Sequence, residues 1–376
     1  MKIIYLTNFT LPTAKAHGLQ VMKMCQVFVK KGVSVELVTG RRFHQLSHAN
    51  PFIYYNIKER FKIKKIFSID LIPLQNIIGR LGLWTQSLSF AILAGFYLLF
   101  QKTDIIYSRD LFSLFFLSWF KSNLIYEAHT FPKHFFLYKY IFKKVKAIIV
   151  ITQNLKNFFI ERGISGDKIL VAPDGVDLGE FNISQSQEQC RKNLNLSMDK
   201  KIILYTGHLF KWKGVSVLAE AGQYLDKNCL IIFVGGLERD VENFKSQVSG
   251  FKNISVLGHQ PHSQIPYYLK AADVLVLPNS AKVKISEYWT SPMKMFEYMA
   301  SQRPIVASDL PSIREVLNEN NAVLVGSDSP ADLARGIEKV LKNPNFSVKI
   351  ARQTFEDVKK YTWEKRAQSI LEFIKI

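Results

Sequence analysis

Short runs rich in Ile, Val, Leu and Tyr alternate along the chain with segments whose apolar positions recur every three or four residues. The first kind reads as strands and the second as helices. In the first half, strands are expected at Lys2–Thr7, Ser34–Thr39, Asp104–Tyr107, Asn123–Glu127 and Ala147–Thr152. A helix is expected between the first two, at Leu19–Lys31, with Val21, Met24, Cys25 and Phe28 on one face. The second half repeats the rhythm, with strands at Lys201–Thr206, Cys229–Gly235, Ile254–Leu257, Val274–Pro278, Pro304–Ser308 and Ala322–Val325. Helical patterns intervene at Val215–Tyr224, Ser263–Ala271, Pro292–Ser301 and Pro330–Asn343. This order predicts an α/β protein with parallel sheets and crossover helices.

The two halves open alike. Lys2-Ile3-Ile4-Tyr5-Leu6-Thr7 and Lys201-Ile202-Ile203-Leu204-Tyr205-Thr206 start 199 residues apart, and each leads through a loop with a glycine (Gly18, Gly214) into a helix. Two such starts imply two Rossmann-like, doubly wound domains facing a cleft, an arrangement suited to a sugar nucleotide or a dinucleotide. The polar stretch Ser184–Lys200 lacks a strand signal and marks the seam, so domains are expected over 1–183 and 198–359.

Composition changes this picture little. The chain of 376 residues is 48% apolar and 22% charged, which excludes disordered and collagen-like classes. Cys25, Cys190 and Cys229 lie far apart without zinc or disulfide spacing and read as reduced thiols of a cytoplasmic protein. The N-terminus has one lysine and turns polar after Leu6, unlike a signal peptide. Leu88–Phe100, the most apolar stretch, is 13 residues and reads as a buried helix; no transmembrane span is expected.

Charge changes it more. Fifty Lys+Arg against 31 Asp+Glu give +19, and residues 1–180 alone hold 24 basic and 11 acidic side chains, or +13. The first half therefore suits an anionic partner, nucleic acid or a phospholipid surface, although a merely soluble basic surface has the same composition.

Several residues could carry chemistry. In Ser291-Pro292-Met293-Lys294-Met295-Phe296-Glu297, Ser291 reads as an N-cap and Pro292 as the first helical residue. The amides of Met293 and Lys294 would then form an anion site, with the Lys294 charge added. Glu297, one turn in, could accept two hydroxyl hydrogen bonds, as a ribose offers; an ordinary capped helix is the equal alternative. The loop Gly207-His208-Leu209-Phe210-Lys211-Trp212-Lys213-Gly214 follows the strand at Lys201–Thr206, where open α/β sheets bind ligands. His208 and Lys213 there suit a diphosphate. Ala16-His17-Gly18 is a second anion-compatible helix start, and His129 ends the strand that closes on Glu127. Arg109-Asp110 reads as a structural ion pair or a site pair, and His259 and His262 as turn and cap residues.

Neither Gly-x-Gly-x-x-Gly after the first strand nor a P-loop occurs, nor a Gly-x-Ser-x-Gly or His-Glu-x-x-His motif, and Asp-x-Asp is absent, so no metal is indicated. The chain resembles the group 1 glycosyltransferases (retaining, GT-B fold) over nearly its full length. The resemblance rests on Ala16-His17-Gly18, Glu127-Ala128-His129, the run Val171 to Asp177, Tyr205-Thr206-Gly207-His208 with Lys213-Gly214, and Ala271-Ala272-Asp273-Val274. It is densest over Lys294 to Glu315 and closes on Tyr361-x-Trp363, which resembles the start of the family's last helix, crossing back onto the first domain with residues 360–376.

The resemblance implies a retaining, metal-independent glycosyltransferase that moves a sugar from a nucleotide-diphosphate-sugar donor to a glycan or lipid-linked acceptor in cell-surface polysaccharide or glycolipid synthesis, with no further cofactor. By it, Glu297 holds the ribose hydroxyls, Lys213 neutralises the departing diphosphate, and His208, Met293 and Lys294 add to the phosphate site. Gly18 lets the backbone approach the phosphates and His129 lines the reacting sugar. Trp289 stands where the family has a glutamate eight residues before Glu297, and His208 where it has an arginine. A non-catalytic sugar-nucleotide-binding protein and an epimerase are the alternatives. The basic, aromatic stretches Phe52–Phe67 and Phe131–Lys146 suit peripheral contact with the anionic inner face of the cell membrane, or are solvated surfaces. No nucleic-acid module is recognisable, so nucleic acid is not an expected partner.

Overall fold

In the computed structural model, which describes residues 1–42, 46–72, 77, 79–132 and 134–375, the chain forms two compact α/β units. One comprises Met1–Ala172 with the helix Trp363–Lys375, the other Pro173–Thr362. The first unit thus stops at Ala172, short of the 183 suggested by polarity. Val176 and Phe181 belong to the hydrophobic core of the second unit, which takes this stretch with it.

The first unit holds a parallel sheet of β1 (Lys2–Thr7), β2 (Ser34–Arg41), β3 (Lys62–Phe67), β4 (Ile105–Ser108), β5 (Leu124–Ala128), β6 (Ala147–Val150) and β7 (Ile169–Val171). Their spatial order is β3-β2-β1-β4-β5-β6-β7. The second unit holds β8 (Lys201–Thr206), β9 (Cys229–Val234), β10 (Ile254–Gly258), β11 (Val274–Leu277), β12 (Ile305–Ser308) and β13 (Val323–Val325), ordered β10-β9-β8-β11-β12-β13. In each sheet the order reverses beside the first strand, at β1/β4 and at β8/β11. Crossover helices leave on opposite faces there and open a crevice at the strands' carboxyl ends.

Burial on both faces explains the continuous apolar runs. Ile202 and Leu204 of β8 enter one core layer and Ile203 and Tyr205 the other. Each such side chain contributes about 1.5–3 kcal/mol relative to exposure. The last helix packs on the helix Ala16–Lys30, and Lys30 pairs with Glu364 at 3.2 Å.

Two stretches differ from expectation. Much of Phe52–Phe67 is the edge strand β3, whose lysines point outward: Lys62 pairs with Glu36 at 2.9 Å and Lys64 lies 5.4 Å above the Tyr97 ring. Lysines at such an edge discourage further strand pairing. The apolar stretch at Leu88–Phe100 is part of a longer helix, Leu81–Leu99, and only one of its faces is buried. Its 19 residues make it the one helix among the described residues long and apolar enough to cross a membrane.

Candidate active site

In the second unit, the turn after β8 and the start of the helix Met293–Ala300 bring two lysines together. Gly207 follows β8 with φ of 116°, a conformation that favours glycine. A Cβ there would sit 3.1 Å from Lys294 Nζ, so the ammonium rests against this turn. The Tyr298 hydroxyl accepts from the Thr206 amide at 2.7 Å and so fastens the helix to the end of β8. Lys294 Nζ is buried, makes no hydrogen bond among the described residues and lies 3.5 Å from the Tyr205 ring centroid. Burial pushes this ammonium well below the usual lysine range, and the nearby Lys213 charge pushes it further, against the pull of Glu297.

Lys213 ends a short 3-10 turn, Lys211–Lys213, with its Nζ 3.9 Å above the Trp212 ring. Desolvation brings it down to about 7. Neither lysine is ion-paired among the described residues. The turn depends on Gly214, at φ of 72°, where a Cβ would come 1.6 Å from the Pro278 carbonyl oxygen. Gly214→Ala is therefore expected to cost roughly 3 kcal/mol or more, read as a lowered midpoint in thermal denaturation.

The remaining candidates are placed more variously. Met293 is the first helical residue and half-buried. The N-cap is Pro292 rather than Ser291, whose hydroxyl instead accepts from the Asp174 amide at 3.2 Å. The helix also does not follow β11 directly: residues 278–292 intervene and include the short helix Lys284–Tyr288. His208 stacks on Phe210 with ring centroids 4.9 Å apart, and its carbonyl accepts from the Tyr205 hydroxyl at 2.6 Å. Glu297 is buried, and its Oε1 lies 3.0 Å from Nε2 of His262. His262 does begin a 3-10 turn, as a cap residue would, but no local spacing announces its partnership with a carboxylate 35 positions on.

In the first unit, His129 follows β5, with Nε2 2.6 Å from Glu127 Oε1. Glu127 is fully buried and also accepts from Gln20 at 2.9 Å, Tyr5 at 3.0 Å and Arg366 at 2.8 Å. Burial alone would raise this carboxyl. The guanidinium of Arg366, then His129 and Arg109, outweigh it and hold the group well below the usual carboxylate range. Sequence reasoning missed Arg366 and did not foresee this role for Glu127. Arg109 and Asp110 do not form an ion pair: Arg109 donates to Gln20 at 2.9 Å, whereas Asp110 caps the helix Leu111–Leu117. Gly18 lies inside the first turn of its helix with its amide bonded to the Lys15 carbonyl, and a Cβ would meet the Tyr55 hydroxyl at 2.2 Å. Close approach at Gly18 is thus to Tyr55.

Residues 186–357 match the profile described as Glycosyl transferases group 1, and residues 18–180 that of Glycosyltransferase Family 4. The chain belongs to the group 1 glycosyltransferases. An uncharacterized glycosyltransferase of Methanocaldococcus jannaschii is 29% identical over 219 residues, 56% of this chain and 54% of its own length. TuaC of Bacillus subtilis (strain 168), named for teichuronic acid biosynthesis, is 26% identical over 197 residues, 52% of this chain and 47% of its own. The chain therefore spans about half the length of the curated relatives it matches. Solved structures share its two-domain GT-B fold. Anabaena HepE in complex with UDP and glucose superposes with a TM-score of 0.77 at 17% identity, covering 100% of this chain and 99% of that one. Sucrose-phosphate synthase from Thermosynechococcus elongatus gives 0.78 at 18% identity, covering 100% and 98%.

Proposed function

We propose that this glycosyltransferase transfers a sugar, with retention of configuration, from a nucleoside-diphosphate sugar to a glycan or lipid-linked acceptor in cell-surface polysaccharide or glycolipid synthesis. The observation that carries the donor assignment is the approach of Lys213 and Lys294 to one another beside the glycine turn after β8, two lysines that make no ion pair among the described residues. A buried like-charged pair costs stability unless an anion completes it, and a diphosphate supplies that anion. In the transfer, the bond between the anomeric carbon and the phosphate oxygen breaks, and the acceptor hydroxyl oxygen bonds to that carbon. The hydroxyl proton leaves with the nucleoside diphosphate, whose developing charge the two lysines stabilise without calling on a metal. Met293 and His208 complete the phosphate side, Glu297 holds the ribose hydroxyls, and His129 lines the reacting sugar. The capture of UDP and glucose by HepE, a chain of the same fold, supports a donor of this class. We place the enzyme in the cytoplasm, in peripheral contact with anionic lipid.

Calorimetry against a panel of nucleotides and nucleotide sugars, followed by turnover with the donor that binds, tests this. One nucleoside-diphosphate sugar is expected to bind at micromolar levels, and Glu297→Ala to weaken it at least tenfold, about 1.4 kcal/mol. Unaltered affinity in that variant removes Glu297 from the ribose role. Binding without turnover would instead favour a sugar-nucleotide-binding protein, the reading that Trp289, in place of the family's glutamate, supports.

A further inference from the structure

The first unit exposes an apolar face that its own fold does not use. Along the helix Leu81–Leu99 and just past its end, Trp84, Leu88, Ile92, Phe96 and Phe100 are all exposed, at intervals of four residues. They make a stripe about 25 Å long. The opposite face is committed to the unit: Phe90, Ala91, Ala94 and Leu98 are buried, and the Gln86 amide donates to Asn8 at 2.8 Å and Ser68 at 3.2 Å.

The stripe continues onto two neighbouring helices through aromatic contacts. Trp84 meets Phe112 at 5.9 Å, Phe112 meets Phe116 at the same distance, and Phe115 meets Trp119 at 6.5 Å. Trp119 in turn lies 5.9 Å from Tyr140 of the helix Phe135–Lys144. Trp119 and Phe120 are about two-thirds exposed, and Phe136 is 87% exposed.

The charged side chains of the helix Phe135–Lys144 are all positive. No Asp or Glu occurs between Ala128 and Ile160, a stretch that includes Lys139, Lys143, Lys144 and Lys146. Lys144 lies 4.8 Å above the Tyr140 ring, and Lys121 donates to the carbonyls of Leu99 and Gln101 at 3.2 and 3.4 Å. Cations therefore stand among the aromatic rings themselves.

We infer that this face, formed by the helices Leu81–Leu99, Leu111–Leu117 and Phe135–Lys144, docks on a bilayer bearing anionic headgroups, with the first helix lying in the plane of the interface. Tryptophan and tyrosine beside lysine match the layered polarity of a membrane surface. The same helix is long enough to span, but spanning would pull Gln86 and the buried residues beside it out of the unit. The in-plane orientation follows from that commitment. This docking face rests on the peripheral contact with anionic lipid proposed above, but not on glycosyl transfer being the protein's reaction.

The test uses the full chain and sucrose-loaded vesicles of phosphatidylcholine, with or without about one-third phosphatidylglycerol. Binding is expected on the mixed vesicles at least tenfold above that on phosphatidylcholine alone. The double variant Phe96→Ser, Trp119→Ser is expected to lose at least tenfold on both. Lys143→Glu with Lys144→Glu is expected to erase the preference for anionic lipid. Because all four side chains are exposed, unchanged circular dichroism and melting should accompany these losses. Failure of the wild type to sediment with either vesicle, or wild-type sedimentation by the variants, overturns the proposal. So does a lipid-free dimer that the Phe96/Trp119 variant disperses, since the face would then join two copies. Donor calorimetry on the same variants should match the wild type, which keeps a failed docking surface distinct from a failed donor site.

Discussion

Lys294→Met is expected to stabilise the unliganded protein and at the same time to lower turnover at least a hundredfold. The ammonium of Lys294 is buried, has no hydrogen bond among the described residues and faces a second lysine. Among the described residues, its compensation is the Tyr205 ring at 3.5 Å and the weaker pull of Glu297. Methionine is an unbranched side chain one atom shorter that can still pack against the ring, and it removes the charge. The gain should be on the order of 1–3 kcal/mol, as for other buried charges replaced by apolar side chains. Loss of one charge-stabilising group at a developing anion typically costs two to three orders of magnitude in rate. Thermal melting and steady-state rates on one preparation check both halves. A variant less stable than the wild type would mean that Lys294 serves the fold, and unaltered turnover would remove it from the diphosphate.

The same site fixes a pH dependence. Lys213 is held at about 7, below its value in an unfolded chain. Between about pH 7 and 10 the unfolded state therefore binds more protons than the folded one, and unliganded stability gains from this group as pH rises. Donor affinity should move the other way, because a diphosphate needs the ammonium form. Calorimetric titrations at pH 7 and 9 are expected to show weaker binding at the higher pH and proton uptake on binding. Lys213→Met should weaken both, leaving the share that Lys294 carries.

What the sequence disclosed follows from where each interaction lies along the chain. β1 and β8 were legible to the residue because strands buried on both faces write uninterrupted apolar runs. β3 was not, because Lys62, Lys64 and Lys65 on an exposed edge break the run, and β7 has only three residues. Lys213 and Lys294 could be singled out because each sits beside a local signal, a glycine turn or a helix start. The pairing of His262 with Glu297 and the salt bridge between Glu127 and Arg366 carry no such signal. They join residues 35 and 239 positions apart, and only the tertiary fold brings them together.

That second pairing supports the other large effect. Arg366→Met is expected to destabilise the protein by about 3–5 kcal/mol, because it leaves the fully buried Glu127 carboxylate without its guanidinium. For domains of this size the loss corresponds to roughly 10 °C in melting temperature. Glu127 itself stabilises the fold above the usual carboxylate range, and this contribution disappears as pH falls through its depressed folded value. Adding Glu127→Gln to Arg366→Met should recover much of the stability, since no unpaired charge then remains. Activity should not return with it. Glu127 holds His129 by a 2.6 Å contact to Nε2, and an amide in its place no longer offers a charged acceptor to the ring. A double variant that is restored in melting and still slow would make Glu127 a positioning residue for His129. One restored in both would leave the Glu127–Arg366 pair a purely structural tie between β5 and the C-terminal helix.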